Sequence, residues 1–251
     1  MSYYSKLSNK ENLLITLGCS WTHGVGSYDA GCLEQFRRGE ISQADLYNTS
    51  YYAGAFYEGA WPKFLAELLD YDLINLGVSG DSNSASAKRL IVECDESEAF
   101  NKIRDRYKKV TVIWLITETS RFSFYSDHYL VSYNNNSPGR IFLDYVDEVY
   151  KHEHDGDLET KFYVKSVESY CKGNGFNFVY GSAFVPNNAV KNIYDSDRNI
   201  HKFIDQPAMA NYLDFTNPDI ISHCNHPTPT GYKTLATKLH SILNEHFQGR
   251  A

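Results

Sequence analysis

Four short apolar runs limit what this chain can fold into: LLITL at 13–17, LINLGV at 73–78, VTVIWLI at 110–116 and NFVYG at 177–181. Each is nearly continuous in apolar or β-branched residues rather than alternating, and each ends near Gly, Ser or Thr. Strands with apolar side chains on both faces belong to a sheet covered on both sides, as parallel sheets are. Helical spacing fills the intervals. Trp61, Phe64, Leu65, Leu68 and Leu69 follow i, i+3, i+4, i+7, i+8, with Pro62 in the first turn, where a missing N–H is harmless. Amphipathic helices are also expected around 84–105, at 158–172 up to the Gly173-Asn174-Gly175 break, and at 229–247. Thr228 and Pro229 read as the N-cap and first residue of the last one. Alternating strands and helices predict right-handed βαβ units in a three-layer α/β sandwich.

A chain of 251 residues can bury a sizeable core. No internal repeat, low-complexity tract or composition break marks a linker, so a single domain over 1–251 is expected. The least regular stretch, about 120–157, predicts an insertion or lid after the third strand. A net charge of −7 without a Lys/Arg cluster argues against nucleic-acid and anionic-membrane partners. No apolar run approaches the roughly 20 residues that span a bilayer, and MSYYSKLSNKEN lacks the apolar core of a secretory signal. Cys19, Cys32, Cys94, Cys171 and Cys224 are odd in number and scattered, which predicts free thiols in a reducing, cytoplasmic setting. The chain is rich in tyrosine, and YNTSYYAGAFYEGAW at 47–61 is more polar than a core requires.

The first run stops at Gly18-Cys19-Ser20-Trp21-Thr22. Ligands of open α/β sheets bind beyond the carboxyl ends of the strands, so Ser20 is expected on the binding rim. A nucleophile elbow would need glycine where Thr22 stands, and a phosphate-binding loop would need Lys-Ser or Lys-Thr where Val25 and Gly26 stand. Cys19 is read as a buried structural thiol. The second run leads into NLGVSGDSN at 75–83, whose glycines permit a tight turn with exposed N–H groups. Near the C-terminus SHCNHPTPTGY, 222–232, puts His226 just before a helix N-cap, a candidate general base.

In order and approximate position, GCSWT, NLGVSGDSN and HPTPTGY resemble the blocks of the SGNH (GDSL-type) hydrolase family over nearly the whole chain. The resemblance implies a parallel, flavodoxin-like sheet flanked by helices. It also implies an acyl-serine mechanism with Ser20 as nucleophile, Gly80 as an oxyanion donor and His226 as general base. Two blocks depart. Glu118 stands where the family places an oxyanion-binding asparagine, with Thr117, Thr119, Ser120 and Arg121 beside it. An ionised carboxylate cannot donate to an oxyanion. His223 stands where the family has an acidic residue three before the histidine. Asp219 reaching back, or a backbone carbonyl, would then have to orient the His226 ring.

Substrate contacts are expected from Trp21, Thr22, Asn83, Thr117 and Arg121. No cofactor and no metal is expected; the His223/His226 pair and the His152-Glu153-His154-Asp155 run lack the ligand set of a metal site. Polar tyrosines at 47–61 and 124–133 would suit sugar rings better than long acyl chains. The function expected is hydrolysis of a small acyl ester, acetyl in the first instance, on a carbohydrate. The alternatives are an O-acyltransferase and a catalytically impaired glycan-binding or structural module. Oligomeric state is left open.

Overall fold

A computed structural model describes residues 4–118, 122–126, 129–133, 153–184 and 208–248. The four apolar runs form strands β2 (Asn12–Gly18), β3 (Asp72–Asn75), β4 (Lys109–Ile116) and β7 (Asn177–Ser182). Their side chains are buried on both faces: Leu13, Leu14, Ile15 and Leu17 in β2 and Val112, Ile113, Trp114 and Leu115 in β4 are fully enclosed. All four strands are parallel, with Ile15 opposite both Ile74 and Val112, and Trp114 opposite Tyr180.

The sheet is not wholly parallel. Strand β1 (Tyr4–Lys6) adds antiparallel to β3, giving the order β1-β3-β2-β4-β7. Three residues, YSK, at a sheet edge carry no apolar signal, so this strand is absent from the sequence reading. Without it the strands run in chain order 2-1-3-4, the flavodoxin-like winding, whose switch point lies between β2 and β4. The ends of those two strands therefore open onto the crevice where such sheets bind ligands.

Helices flank the sheet. The helix Trp61–Leu69, with Pro62 in its first turn, packs against the C-terminal helix Pro229–Gln248. Thr228 caps the latter: its Oγ1 accepts from Gly231 N–H at 3.3 Å. Likewise, Asn83–Lys88 packs against Glu153–Gly173.

The expected helix at 84–105 is three pieces: Asn83–Lys88, a π-helical turn Arg89–Cys94, and Glu98–Arg104 started by a Ser97 cap. The break follows from what is buried, because Asn83, Ser84, Ser86 and Arg89 turn inward with their polar groups bonded. Between β2 and Trp61 the chain forms the short turn Ser20–His23 and then the helices Ala30–Arg37, Gln43–Tyr52 and Ala55–Glu58. Ala30–Arg37 buries none of its residues and Gln43–Tyr52 only Leu46 and Ser50, so no apolar stripe announced them. Their local signals are caps: Asp29 accepts from Cys32 N–H at 3.0 Å, and Ser42 forms a capping box with Asp45.

Of the expected insertion at 120–157, a hairpin of β5 (Phe122–Ser126) and β6 (Tyr129–Tyr133) is described, with Glu153 onward helical. Residues 134–152, His152 included, lie outside the described residues. All five cysteines are free thiols. No helix among the described residues is long and apolar enough to cross a membrane.

Candidate active site

Strand β2 ends where only glycine fits. Gly18 has φ +145°, and a Cβ there would lie 2.3 Å from Thr22 Oγ1 and 2.9 Å from the Leu115 carbonyl of β4. The chain turns at once into a single helical turn, Ser20–His23, on which the Thr22 and His23 N–H groups donate to the Cys19 carbonyl. As the first residue of that turn, Ser20 has no acceptor for its own N–H within the helix. Its side chain is nearly buried, at 6% exposure.

His226 reaches Ser20 from the far end of the chain on a tight hairpin. Ile221 bridges Pro227, Ser222 N–H donates to the His226 carbonyl at 2.8 Å, and Asn225 takes the left-handed conformation at φ 59°. Gly26 admits the hairpin, since a Cβ there would lie 2.4 Å from the Pro227 carbonyl and 2.9 Å from His226 Cβ. His226 Nε2 lies 2.8 Å from Ser20 Oγ, and Nδ1 lies 2.8 Å from the Cys224 carbonyl. A carbonyl only accepts, so the bond network puts the proton on Nδ1 and leaves Nε2 to accept from the Ser20 hydroxyl. That tautomer is the one a general base requires.

Neither side chain weighed for orienting the ring does so. The exposed His223 ring stacks between Tyr28 and Phe36, at centroid distances of 5.3 and 4.8 Å. Asp219 is exposed; its N–H bonds Asn217 Oδ1 and its carbonyl accepts from Thr228 Oγ1. The hairpin turns the Cys224 carbonyl inward instead, and this backbone group takes the third place. With Nε2 on Ser20 and Nδ1 on Cys224, His226 has no nitrogen free for a metal. Among the described residues no three His, Cys, Asp or Glu side chains form a metal-binding group.

Gly80 lies in a turn closed by Asp81 N–H to the Val78 carbonyl at 3.2 Å. It has φ +81° and faces open space. Across the crevice, at the end of β4, Glu118 is half-buried and its Oε2 accepts from Thr117 Oγ1 at 3.1 Å. Thr117 N–H donates to Asn83 Oδ1 at 3.0 Å, so both donors of Thr117 are spent within the protein.

No protein-family model and no curated protein matches the chain. Solved structures do. A carbohydrate esterase described as having divergent catalytic and non-catalytic binding functions in its active site superimposes with a TM-score of 0.54 at 14% identity, covering 96% of this chain and 67% of that one. An acetyl xylan esterase from the rumen bacterium Butyrivibrio proteoclasticus gives 0.53 at 12% identity, covering 96% and 66%. A lipolytic protein of the G-D-S-L family from Desulfitobacterium hafniense gives 0.50 at 13%, covering 92% and 98%. The chain has the SGNH hydrolase fold. It spans about two thirds of the length of the two carbohydrate esterases and nearly all of the lipolytic protein.

Within that fold the expected substrate contacts divide. Asn83 is a latch: both its amide protons are used, on the Thr117 carbonyl at 3.1 Å and Thr160 Oγ1 at 3.2 Å. Thr22 is fully buried and bonds the Leu17 carbonyl. Trp21 is 2% exposed and packs edge-on against Phe184 at 4.8 Å and beside Phe215 at 6.3 Å. Thr119, Ser120 and Arg121 lie outside the described residues.

Two groups beside Ser20 carry no signal in the sequence. The Cys224 thiol lies 3.1 Å from Tyr28 OH, which donates to it, and 3.1 Å from Ser222 Oγ. Burial raises its pKa, but bonds with His226, Ser222 and Tyr28 outweigh burial and bring it down to about 7. His23, on the Ser20 helix, is 3% exposed. Burial, reinforced by the positive charge of Arg89, lowers its pKa to about 4, so it is neutral when folded. The unfolded chain takes up that proton below its ordinary pKa near 6.5. His23 thus contributes stability that is complete above pH 6.5 and is lost as the pH falls to 4, about 3 kcal/mol in all. Urea unfolding at pH 7 and pH 4 should show this, and a His23→Phe variant should lose less stability between the two.

Proposed function

We propose that this protein is a serine esterase that removes a small acyl group, acetyl in the first instance, from a carbohydrate. The observation that carries the proposal is the 2.8 Å contact of Ser20 Oγ with a His226 Nε2 whose ring is set by the Cys224 carbonyl. In this reading His226 takes the Ser20 proton as Oγ attacks the ester carbonyl carbon. The N–H groups of Ser20 and Gly80 bind the resulting oxyanion. His226 returns the proton to the departing alcohol as the C–O bond breaks. Water, deprotonated by His226, then attacks the acyl-serine and releases the acid and free Ser20. Acetyl and carbohydrate specificity are supported by likeness to an acetyl xylan esterase and by the aromatic residues Tyr51 and Tyr57 packed against the Ser20 helix.

Two features favour a slower enzyme or a binding module. Glu118 stands at the asparagine position, and an oxyanion donor is worth about 10²–10³ in rate. A carbonyl orients His226 without supplying the charge that a carboxylate places beside an imidazolium. Glu118→Asn is therefore expected to raise kcat on 4-nitrophenyl acetate at least tenfold with KM little changed; an equal or lower kcat would count against a role for position 118 at the oxyanion.

The test is hydrolysis of 4-nitrophenyl acetate and butyrate and of acetylated xylo-oligosaccharides, with acetate release as readout. Acetyl esters should turn over faster than butyrate, and the oligosaccharides should be deacetylated. No hydrolysis of any of them would leave the binding-module reading. Acyl transfer to an added sugar in preference to water would identify an O-acyltransferase.

A further inference from the structure

We propose that His23 is a positioning residue that ties the nucleophile helix to the oxyanion turn, its Nδ1 holding the Ser79 N–H so that Gly80 N–H faces the ester carbonyl attacked by Ser20. The inference rests on the esterase reading above and adds a residue to it. His23 lies three residues after Ser20 on the same helical turn, and its Nδ1 accepts from Ser79 N–H at 3.2 Å. Ser79 directly precedes Gly80. One side chain thus spans the gap between the element that carries the attacking oxygen and the element that carries the proposed donor.

The rest of the turn is fastened to β2, to the Thr22 carbonyl of the Ser20 helix and to Arg89. Leu76 N–H and Val78 N–H donate to the Thr16 and Gly18 carbonyls of β2. Gly77 N–H donates to Asn75 Oδ1, while Asn75 Nδ2 donates to the Thr22 carbonyl at 2.8 Å. From below, the buried Arg89 donates to the Leu76 carbonyl and forms a two-pronged ion pair with Asp81. These contacts fix residues 76–78 and 81. Between them, the hydrogen bond from Ser79 N–H to His23 Nδ1 holds Ser79 to the Ser20 helix.

The chemistry of the ring fits this task. Nδ1 can accept only if it carries no proton, which places the single ring proton on Nε2. Nε2 is buried and has no hydrogen-bond partner among the described residues. Tyr51, Phe56 and Tyr57 surround the ring at centroid distances of 5.6, 5.7 and 4.8 Å. A phenyl ring would fill this aromatic niche without orphaning a donor. What histidine adds over phenylalanine is the acceptor at Nδ1. Burial keeps the ring neutral over the working pH range, so the acceptor is permanent.

His23→Phe removes the acceptor and keeps the ring, whereas His23→Asn places Oδ1 where Nδ1 was. Each variant is compared with wild type on 4-nitrophenyl acetate, with kcat expressed per site titrated by a fluorophosphonate and folding checked by thermal melting. His23→Phe is expected to lower kcat about 10–100-fold with KM within about twofold, and His23→Asn to recover most of the loss. A variant that only loosened the fold would lower the titratable fraction and leave kcat per site unchanged. The second measurement needs no activity: in wild type, ¹⁵N NMR should show His23 Nδ1 unprotonated, and Ser79 N–H should exchange faster in His23→Phe than in His23→Asn. An active wild type whose kcat per site survives His23→Phe overturns the inference and leaves the esterase reading intact. An inactive wild type overturns the esterase reading, and the Ser79 exchange then decides whether His23 holds the turn. Equal exchange in the two variants, or a protonated Nδ1, overturns the inference.

Discussion

With Ser20 replaced by alanine, ester hydrolysis is expected to fall by about 10⁴–10⁶ in kcat, to the level left by binding and oxyanion contacts alone. The substitution removes the oxygen proposed to attack the acyl carbon and touches little else. Ser20 Oγ is hydrogen-bonded to His226 Nε2, and the side chain is small. Gly18, the Cys19 carbonyl and the Thr22 hydroxyl, which set the path of the turn, remain in place. The melting temperature should therefore stay close to wild type, and KM for the residual reaction should change little. The measurement is steady-state hydrolysis beside thermal unfolding; a variant that keeps more than a tenth of wild-type kcat would exclude Ser20 as nucleophile.

His226→Ala is expected to cost as much as the serine substitution, because a serine hydroxyl without its base is a poor nucleophile. The two losses should not add. Groups that act as a unit are removed by the first substitution, so the Ser20→Ala/His226→Ala double variant should match either single variant within about tenfold. Multiplied losses would mean that the two residues act in separate steps. Neither His223→Ala nor Asp219→Ala should approach this effect. The ring of one is stacked on Tyr28 and Phe36, and the other is held at the surface by Asn217 and Thr228.

The parts of the fold legible in the sequence are those whose burial leaves a pattern in residue type. Strands enclosed on both faces must be apolar throughout, which is why β2, β3, β4 and β7 stand out within a residue or three of their observed ends. Helices with one covered face show a stripe, as Trp61–Leu69 and Pro229–Gln248 do. Ser5 and Lys6 of the edge strand are exposed, the helices Ala30–Arg37 and Gln43–Tyr52 bury little, and none of them leaves such a trace. Around Arg89 the failure has the opposite cause. Polar side chains are buried there in specific bonds, and a periodicity argument reads inward-facing Asn, Ser and Arg as surface.

The site divides along the same line. Ser20 and His226 are visible because their chemistry resides in side chains at strand and helix ends. The group that orients His226 is a backbone carbonyl, which every residue possesses, so residue type cannot reveal it. The sequence left Asp219 or an unspecified backbone carbonyl open for the task, and the hairpin closed by Ser222 N–H and the left-handed Asn225 decides between them by turning the Cys224 carbonyl inward. Likewise the contact of His23 with Ser79 joins residues 56 positions apart, which no local pattern shows.

The central claim is that Ser20, activated by His226, bonds covalently to an acyl carbon. The most direct measurement is reaction with a fluorophosphonate, followed by proteolysis and mass spectrometry of the labelled peptide. A single phosphonyl adduct on Ser20 is predicted, absent in Ser20→Ala and formed at least a hundredfold more slowly in His226→Ala. An adduct on Cys19 or any other side chain, or an esterase that remains unlabelled, would contradict it.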